Sequence, residues 1–360
     1  MRFSGIRVGL VGPLPPPSGG MANQTRQLAE LLERDGARVT MVQTNRPYWP
    51  LWVSGLPVLR AWFRLVPYFW LLWKAIGKSD VVHVMANSGW SWHLFAAPAI
   101  WISRVRGVAV VVNYRGGEAA AFLAKTQRIV RVSMRRVALL VVPSAFLQQV
   151  FAGFGMQASL LPNIVDLSRF HPRPARTTDA MHLVVARNLE PLYDNATALR
   201  AFQIIKSDFA HARMTIAGSG PEEARLRELA HSLDVSDAVT FAGRLDREAM
   251  ASLYRTADLM INPSLADNMP NSVLESLASG VPVVSTNVGG VPFMVRHGET
   301  ALLVEPSSPS AMAHACIRVL RDDALWSRLS LAGQVEVERY TWSRVAPLLL
   351  AAYQKAMGRD

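Results

Sequence analysis

Residues 259–295 read LMINPSLADNMPNSVLESLASGVPVVSTNVGGVPFMV. The apolar runs Leu259–Asn262 and Pro282–Thr286 have the length and composition of buried strands, and they flank a stretch with helical character. That helix is predicted to begin near Pro270, because proline fits the first turn of a helix. A strand, a helix and a second strand in this order are typical of an α/β sheet.

The same alternation of short apolar runs and helical stretches covers the chain and starts twice. The predicted strands of the first set are Arg7–Val11, Arg38–Gln43, Asp80–Val84, Val108–Asn113 and Leu139–Pro143, and those of the second are Met181–Ala186, Arg213–Ala217, Ala238–Ala242, Leu259–Asn262, Pro282–Thr286 and Ala301–Val304. This pattern predicts two doubly wound, Rossmann-like α/β domains that face each other across a cleft, where ligands of open sheets bind.

The polar stretch Leu167–Ala180 contains prolines, has no periodicity and is the predicted linker. We therefore expect a first domain over residues 1–170 and a second domain over residues 178–342. A final helix, predicted over Ser343–Met357, is expected to cross back so that residues 343–360 pack on the first domain. A chain of 360 residues is long enough for two domains that each bury a core.

The first residues and the cysteine usage indicate a cytoplasmic protein. The apolar run within Met1–Gly12 is too short for a secretory signal and leads into a proline- and glycine-rich loop. The single Cys316 excludes an internal disulfide and fits a reducing compartment. Cys316 is expected to be a small buried side chain in a helix.

Charge is distributed unevenly along the chain, whose formal net charge is +11. Residues 1–175 hold 20 Lys/Arg and 6 Asp/Glu, a net charge of +14, whereas residues 176–360 have a net charge of −3. A one-sided basic field attracts nucleic acid or anionic lipid, and the alternative is a solvated basic face without a partner. No nucleic-acid-binding module is recognisable, so no nucleic-acid partner is predicted.

Residues 47–77 read PYWPLWVSGLPVLRAWFRLVPYFWLLWKAIG and combine aromatic and basic side chains. Trp62, Trp70 and Trp73 alternate with Arg64 and Lys74. The uncharged core of this run is too short to cross a bilayer. Tryptophan beside arginine and lysine suits the headgroup boundary, so the sequence predicts a protein at the inner face of the membrane, with a membrane-borne acceptor. A buried helix pair is the alternative.

Two glycine-rich turns and one acidic pair are candidates for ligand binding. The turns lie in PLPPPSGGMANQTRQLAELL, residues 13–32, and in AGSGPEEARLREL, residues 217–229, and each leads from a strand into a helix. Such turns let backbone N–H groups approach a phosphate, although a plain turn explains each of them equally well. Asp267 and Glu275 flank the start of the helix near Pro270, whose free N–H groups suit a diphosphate. Glu275 could accept hydrogen bonds from a ribose diol, and the alternative is a capping Asp267 with an exposed Glu275.

Together these motifs resemble those of the retaining glycosyltransferases of family four, group 1, whose two-domain fold is called GT-B. The family's acidic pair corresponds to Asp267-x7-Glu275, with Asp where Glu is common. The segments that follow it, SGVPVVSTNVGGVPFMV and HGETALLVEP, also match. So do VPSAFLQQVFAGFG with LLPNIVDLSRF at the end of the first domain, and AGSGPEEARLRELAHSLDVSDAVTFAGRL in the second. The resemblance covers nearly the whole chain.

The resemblance implies a role for each matched residue. Glu275 would bind the donor ribose, Asp267 would orient the transferred sugar, and Arg187 would stabilise the leaving diphosphate. The complete set of donor-binding residues that it implies is Gly19, Gly20, Arg187, Gly218, Arg244, Leu245, Asp267, Met269, Pro270, Asn271, Ser272 and Glu275. It implies no cofactor beyond the nucleotide diphosphate sugar, and the sequence has no acidic cluster with metal-ligand spacing.

Two departures from the family pattern concern positive charge. The family commonly has a lysine about five residues after the arginine, where this chain has Leu192 and Tyr193. The family often has a histidine in a first-domain loop, where this chain has Tyr114 and Arg115 in NYRGGEA. We take Arg115 as the candidate for the missing cation and as the third catalytic residue beside Asp267 and Arg187. His83 and His93 are expected to be structural.

The function that follows is transfer of a sugar, with retention, from a nucleotide diphosphate to a lipid-linked saccharide, in bacterial exopolysaccharide or lipopolysaccharide synthesis. Three alternatives stay open: a nucleotide-sugar epimerase of the same fold, a sugar-nucleotide-binding protein with impaired catalysis, and a nucleic-acid-binding protein. The missing lysine and histidine favour the second alternative, and only the basic half favours the third.

Overall fold

The computed structural model describes residues 1–16, 19–47, 57–172 and 181–359, with side chains from Trp62 onward in the third range. Trp49, Trp52 and residues 173–180 of the predicted linker lie outside the described residues. The described chain forms two compact units: residues 1–163 with 342–360, and residues 164–341.

The first unit is built around a six-stranded parallel sheet in the order β2-β1-β3-β4-β5-β6. Its strands are β1 (Arg7–Gly12), β2 (Arg38–Gln43), β3 (Val81–Ala86), β4 (Ala109–Tyr114), β5 (Leu139–Val142) and β6 (Ser159–Leu160). Its helices are α1 (Gly20–Arg34), α2 (Pro57–Ile76), α3 (Ala97–Val105), α4 (Ala119–Met134), α5 (Ala145–Gly153) and, from the end of the chain, α12 (Trp342–Met357). Five of the strands were predicted from sequence, and the two-residue β6 was not, because it is too short to have a pattern.

The second unit contains a six-stranded parallel sheet in the order β12-β11-β10-β7-β8-β9. Its strands are β7 (His182–Ala186), β8 (Arg213–Ala217), β9 (Val239–Gly243), β10 (Leu259–Asn262), β11 (Val283–Thr286) and β12 (Leu302–Val304). Its helices are α6 (Asn195–Asp208), α7 (Glu223–Ser232), α8 (Arg247–Thr256), α9 (Asn271–Ala278), α10 (Pro309–Arg321) and α11 (Asp323–Val337). All six strands agree with the predicted ones to within about a residue. Cys316 on α10 is fully buried, as expected.

The boundary between the units falls earlier than the residue 170 expected from sequence. Ile164 already belongs to the second unit. Phe170 packs in that unit's core, with its ring 6.1 Å from that of Tyr254, and the Val165 amide donates to the Tyr340 carbonyl. These contacts explain why residues 164–170 belong with the second core. At the other end, α12 packs on β3, β4 and β5 of the first unit.

Each sheet has one point where the order of the strands reverses. In the second unit the chain runs outward from β7 through β8 and β9, then returns to place β10 on the other side of β7. In the first unit β2 and β3 lie on opposite sides of β1 in the same way. Loops at such reversal points separate and leave a crevice at the carboxyl ends of the strands. These edges are where the candidate site residues are found.

Over the described residues 57–76 the chain forms one continuous helix, α2, with Pro67 inside it. Its inward residues include Tyr68 and Leu72, which are buried in the first core. Its outward side chains are large, apolar and exposed. None of the described helices combines the length and the apolar character that a bilayer crossing requires.

Candidate functional site

The best-formed polar cluster of the second unit lies at the carboxyl edge of its sheet, at the reversal between β7 and β10. Arg187 directly follows β7, and Ser264 and Asp267 follow β10. Nε and Nη2 of Arg187 both donate to Ser264 Oγ at 3.0 Å. The guanidinium also forms an ion pair with the Asp267 carboxylate, and the two side chains are only 10% and 12% exposed. The structure thus brings together two residues that the sequence separates by eighty positions.

A hydrogen-bonded network behind Ser264 holds this cluster in place. Ser264 Oγ donates to Asn262 Oδ1 at 2.9 Å, and Asn262 Nδ2 donates to Ser285 Oγ at 2.9 Å. Thr286 Oγ1 donates a hydrogen bond to the Ser264 carbonyl at 2.6 Å. These four side chains are buried at the ends of β10 and β11. Because buried polar groups that are fully bonded resist rearrangement, the network fixes the Arg187 guanidinium from below.

Arg187 is the cation that the sequence predicted for the diphosphate. Burial lowers its pKa to about 10, which leaves it charged at neutral pH. Its guanidinium lies 4.7 Å from the centre of the Tyr193 ring. Tyr193, with Leu192, stands where the family commonly has lysine, so an aromatic face occupies the place of the second positive charge. A guanidinium over a tyrosine ring is stabilised by the ring's negative face.

Two glycines are required by close backbone approaches at this edge. A Cβ atom at Gly218 would overlap the carbonyl of Arg187, so only glycine lets the turn after β8 pack beside the turn after β7. Gly289 has a φ of +53°, and a Cβ there would overlap the Asp267 carbonyl. The Gly290 amide donates to that same carbonyl at 2.9 Å. These glycines position the backbone of Arg187 and Asp267.

Helix α9 begins next to Pro270, where the sequence predicted the start of a helix. Pro270 is its N-cap and provides no side-chain hydrogen bond, and the first helical turn contains no acidic residue. The Oγ of Ser272 is buried and has no hydrogen-bond partner among the described residues. A buried hydroxyl without a partner costs about 1–3 kcal/mol, so a ligand that bonds to it gains a matching advantage. Met269, just before the helix, is buried, and Asn271 is the first helical residue.

Glu275 lies in the second turn of α9. Burial raises its pKa to about 7, an effect that the nearby charges of Arg247 and Arg169 partly offset. Its side chain is therefore about half ionised at neutral pH. A carboxylate that is costly to ionise in isolation becomes a strong acceptor once hydroxyl donors reach it.

Four residues around Glu275 and Arg187 were not predicted from sequence. Tyr254, on α8, is fully buried and donates to the Ser272 carbonyl at 3.1 Å, and its pKa is well above the ordinary value because of burial. Arg247 and Arg169 contribute positive potential near Glu275. Tyr254 looks like an ordinary core position of an amphipathic helix, so it gave no signal. Ser264 could have been found, because a polar residue directly after a buried strand faces the ligand edge.

Arg244 and Leu245 lie in the turn between β9 and α8. Arg244 is exposed and Leu245 is partly buried. This turn follows Gly243, whose φ is +64°. It is thus at the carboxyl end of β9, the outermost strand on that side of the sheet.

In the first unit, Gly19 and Gly20 form the start of helix α1. Gly19 is an extended N-cap without a side-chain hydrogen bond, and the first turn contains no acidic residue. A Cβ at Gly19 would meet no atom within 4 Å. The helix starts close behind β1, so its positive end lies on the carboxyl side of that sheet.

Arg115 follows β4 at the carboxyl edge of the first sheet. Its Nε donates to Asn113 Oδ1 at 3.2 Å, and its Nη1 donates to Asn163 Oδ1 at 2.6 Å. Burial lowers its pKa to about 10, so it too stays charged at neutral pH. The candidate cation thus lies on the loop after β4, held by two amide oxygens. His83 lies beneath it, fully buried and hydrogen-bonded, which confirms a structural histidine.

The aromatic and basic residues predicted to contact membrane lie on α2. Trp62, Trp70 and Trp73 are 65%, 57% and 45% exposed. Lys74 Nζ sits 3.7 Å from the centre of the Trp70 ring. Arg64 differs from the expectation: its Nε and Nη2 donate to the Thr44 carbonyl, at 3.2 and 3.0 Å, because the side chain turns inward and fastens α2 to the end of β2.

This exposed aromatic surface continues onto the neighbouring helix α3. Trp101 of α3 is 39% exposed, with the Arg136 guanidinium 4.0 Å from its ring centre. The Arg106 guanidinium lies 4.6 Å from the Trp73 ring and so links α3 to α2. Within the described residues, no group of three or more His, Cys, Asp or Glu side chains is arranged to hold a metal ion.

Comparison with known proteins identifies the class. Residues 18–169 match the family model described as Glycosyltransferase Family 4, and residues 182–322 match the model described as Glycosyl transferases group 1. The chain belongs to this family, is a glycosyltransferase and has the GT-B fold of two Rossmann-like domains.

The relatives cover most of the chain. A phosphatidyl-myo-inositol mannosyltransferase from Mycolicibacterium smegmatis is 27% identical over 98% of this chain and 95% of its own length. A D-inositol 3-phosphate glycosyltransferase from Streptomyces scabiei is 27% identical over 78% of this chain and 69% of its own. Among solved structures, sucrose-phosphate synthase from Thermosynechococcus elongatus superposes with a TM-score of 0.78 at 19% identity, covering 99% and 100% of the two chains. HepE from Anabaena, solved with UDP and glucose, gives 0.74 at 14% identity, covering 96% and 99%.

Proposed function

We propose that this glycosyltransferase transfers a sugar, with retention of its anomeric configuration, from a nucleotide diphosphate to a lipid-linked saccharide at the inner face of the membrane. The pathway we propose is bacterial exopolysaccharide or lipopolysaccharide synthesis. The observation that supports this proposal most directly is the group of side chains at the carboxyl edge of the second sheet. There Arg187 offers a cation, the Ser272 hydroxyl, which has no partner in the described part of the chain, offers a hydrogen-bonding group, and Glu275 with its raised pKa offers an acceptor.

Each of these groups matches one part of a nucleotide diphosphate sugar. A diphosphate needs a fixed cation and N–H donors, which Arg187 and the backbone at Met269–Ser272 supply. A ribose diol needs a carboxylate, which Glu275 supplies. Asp267 is left to hold hydroxyls of the transferred sugar. The Anabaena neighbour was solved with UDP, which supports a uridine nucleotide as the first donor to try.

For the chemical step we propose a front-face displacement in which the leaving diphosphate helps to deprotonate the acceptor hydroxyl. The protein then contributes positioning and electrostatic stabilisation of the departing charge rather than a covalent nucleophile. Arg187 stabilises the diphosphate as the glycosidic bond breaks. Arg115 supplies the second cation in place of the family's lysine.

The membrane-borne acceptor is supported by the surface of α2, α3 and the residues that follow them. Exposed tryptophans there alternate with arginine and lysine in cation–π contacts. Amphipathic rings and adjacent cations favour the headgroup region of an anionic bilayer. The mycobacterial relative is named for transfer to a phosphatidylinositol, an acceptor that resides in membrane.

The test begins with calorimetric titration of UDP and GDP into the wild-type protein, Glu275→Ala and the matched control Glu228→Ala. Glu228 is an exposed acid on α7 of the same unit. We expect one nucleotide to bind, with weaker binding in Glu275→Ala and unchanged binding in Glu228→Ala. Binding of neither nucleotide by folded protein would refute the proposed donor site.

The second stage incubates the protein with the labelled donor of that nucleotide and a bacterial lipid extract. Label in the lipid fraction, with the anomeric configuration retained in the NMR spectrum, is the expected result. Conversion of the donor without acceptor would favour an epimerase instead. Binding without any turnover would favour the binding protein with impaired catalysis, which the aromatic Tyr193 in place of lysine makes the second candidate.

A further inference from the structure

A continuous chain of buried polar side chains runs through the first unit, from the C-terminal helix to Arg115. Tyr353 of α12 bonds to Nδ1 of His83 with 3.0 Å between the atoms. His83, on β3, bonds through Nε2 to Asn113 Nδ2 at 3.2 Å. Asn113, at the end of β4, accepts from Arg115 Nε at 3.2 Å. Tyr353, His83 and Asn113 are each fully buried.

Arg115 determines the hydrogen-bond direction of every group in this chain. A guanidinium can only donate, so the Asn113 amide must present its oxygen to Arg115 and its NH₂ group to His83. His83 Nε2 must then be the acceptor, which places the imidazole proton on Nδ1. That N–H donates to the Tyr353 hydroxyl oxygen. Only this arrangement of the amide and the imidazole pairs a donor with an acceptor at each of the three bonds.

His83 is suited to this fixed role because it stays neutral. Burial, with the nearby Arg115 charge, lowers its pKa to about 3. The imidazole therefore keeps one proton across the physiological range, and it cannot switch to donating from both nitrogens. Tyr353 is itself fixed by packing, with its ring 6.0 Å from that of Phe3, which in turn stacks on Trp342 at 5.7 Å.

We propose that Tyr353 is a positioning residue for Arg115, acting through His83 and Asn113, and that the C-terminal helix thereby sets the orientation of the guanidinium used in sugar transfer. The inference rests on the proposed role of Arg115 in that reaction. A hydroxyl from the last helix thus controls a loop that lies more than two hundred residues earlier in the chain.

The effect of losing the Tyr353 hydroxyl follows from the fixed directions. Without its acceptor, the Nδ1–H of His83 is a buried donor with no partner, which favours moving the proton to Nε2. Nε2–H would then meet the NH₂ group of Asn113, donor against donor, and the amide would rotate. Its NH₂ group would face Arg115 Nε, and the guanidinium would lose that bond.

The activity test compares Tyr353→Phe with Tyr68→Phe. Tyr68 is a matched control, because it is a buried tyrosine of the same unit whose hydroxyl donates to the Phe95 carbonyl at 2.8 Å, away from this chain. We expect kcat of Tyr353→Phe to fall about tenfold with the donor KM nearly unchanged, since a small misplacement of a transition-state cation acts on kcat. Tyr68→Phe should keep the wild-type kcat, while its thermal midpoint should fall by about as much as that of Tyr353→Phe. Equal kcat in the two variants would overturn the proposal.

The second readout does not need activity. Nitrogen-15 NMR of the folded protein should show His83 as the neutral Nδ1–H form in the wild type and in Tyr68→Phe, with a slowly exchanging Arg115 Nε–H. In Tyr353→Phe we expect the imidazole proton on Nε2 and faster exchange at Arg115. A wild-type His83 protonated on Nε2 would refute the chain of bonds. The predicted NMR pattern in a protein without transferase activity would instead refute only the proposed function.

Discussion

The two sheets each place an arginine at their carboxyl edge, and the two arginines are held by different chemistry. In the second unit Arg187 is bonded to the Asp267 carboxylate and to a serine hydroxyl. In the first unit Arg115 is bonded to the amide oxygens of Asn113 and Asn163. Burial lowers both pKa values to about 10, so both side chains are charged at neutral pH.

The difference concerns how much positive charge each site offers to a ligand. A carboxylate cancels the guanidinium charge at short range, whereas an amide oxygen orients a guanidinium without cancelling it. In the proposed donor site a diphosphate would compete with Asp267 for Arg187, whereas the two amides leave the charge of Arg115 uncancelled.

The largest expected effect is that of Arg187→Ala. Loss of the cation next to the leaving diphosphate should reduce kcat/KM by roughly 100- to 1000-fold. Steady-state turnover of the nucleotide sugar measures it. Arg213→Ala serves as the control, because Arg213 is an exposed arginine at the start of β8, the opposite end of a strand in the same sheet. A fall of less than about tenfold would mean that Arg187 does not act on the departing charge.

Arg115→Ala is expected to reduce turnover by roughly 10- to 100-fold, less than Arg187→Ala, because it supplies the second cation rather than the first. The same assay measures it, with thermal unfolding as the check on folding. Unchanged turnover would contradict the assignment of Arg115 as the substitute for the family's lysine.

Asp267→Asn separates binding from chemistry. Removing the carboxylate frees Arg187, so we expect the nucleoside diphosphate to bind roughly 10- to 30-fold more tightly, the lower part of the range for a hydrogen bond to a charged group. Turnover should fall at the same time, since Asp267 is proposed to hold the sugar. Calorimetry and the turnover assay give the two numbers. Weaker nucleotide binding in this variant would contradict the competition between Asp267 and the diphosphate.

Nucleotide affinity should depend on pH through Glu275. Because its folded-state pKa is about 7, the carboxylate is mostly protonated at pH 6 and mostly ionised at pH 8. If the ionised form binds the ribose, affinity rises by at most about tenfold across this range. The same raised pKa means that ionisation destabilises the folded unit progressively from about pH 4.5 to 7. Glu275→Gln should remove the dependence that belongs to this residue, leaving only the titration of the nucleotide itself.

The smallest expected effect is that of Ser272→Ala. Its buried hydroxyl has no partner among the described residues, so its removal should leave the thermal midpoint unchanged or slightly raised. Nucleotide binding should weaken by about fivefold, the value of one lost hydrogen bond of ~1 kcal/mol. Titration calorimetry measures the nucleotide affinity and differential scanning calorimetry measures the thermal midpoint, so the two effects are distinguished. A lowered midpoint with unchanged affinity would assign the hydroxyl to the fold instead of the ligand.

The strands and the acidic pair could be predicted from sequence because their signals are local. Runs such as Leu259–Asn262 are short, apolar and bounded by turns, and hydrophobic burial in a parallel sheet requires that pattern. Asp267 and Glu275 stand at a fixed distance from a helix start that Pro270 marks. The partners of Arg187 and Arg115 had no such signal, because hydrogen bonds between separate strands leave no mark on either segment alone. For Arg64 the local signal was misleading. Its aromatic neighbours suggested an exposed cation, whereas in the structure its side chain turns inward and donates to the Thr44 carbonyl.

The sequence by itself determined two α/β units, the position of the glycine turns and the residue types available at each strand end. Those properties depend on backbone preferences and on burial, which act over a few residues. The tertiary structure decided which of these residues meet: Arg187 with Asp267, Ser272 with no partner among the described residues, and Tyr353 linked to Arg115 through His83. It alone could do so, because hydrogen-bond direction and pKa depend on neighbours that are brought together only when the sheet order is fixed.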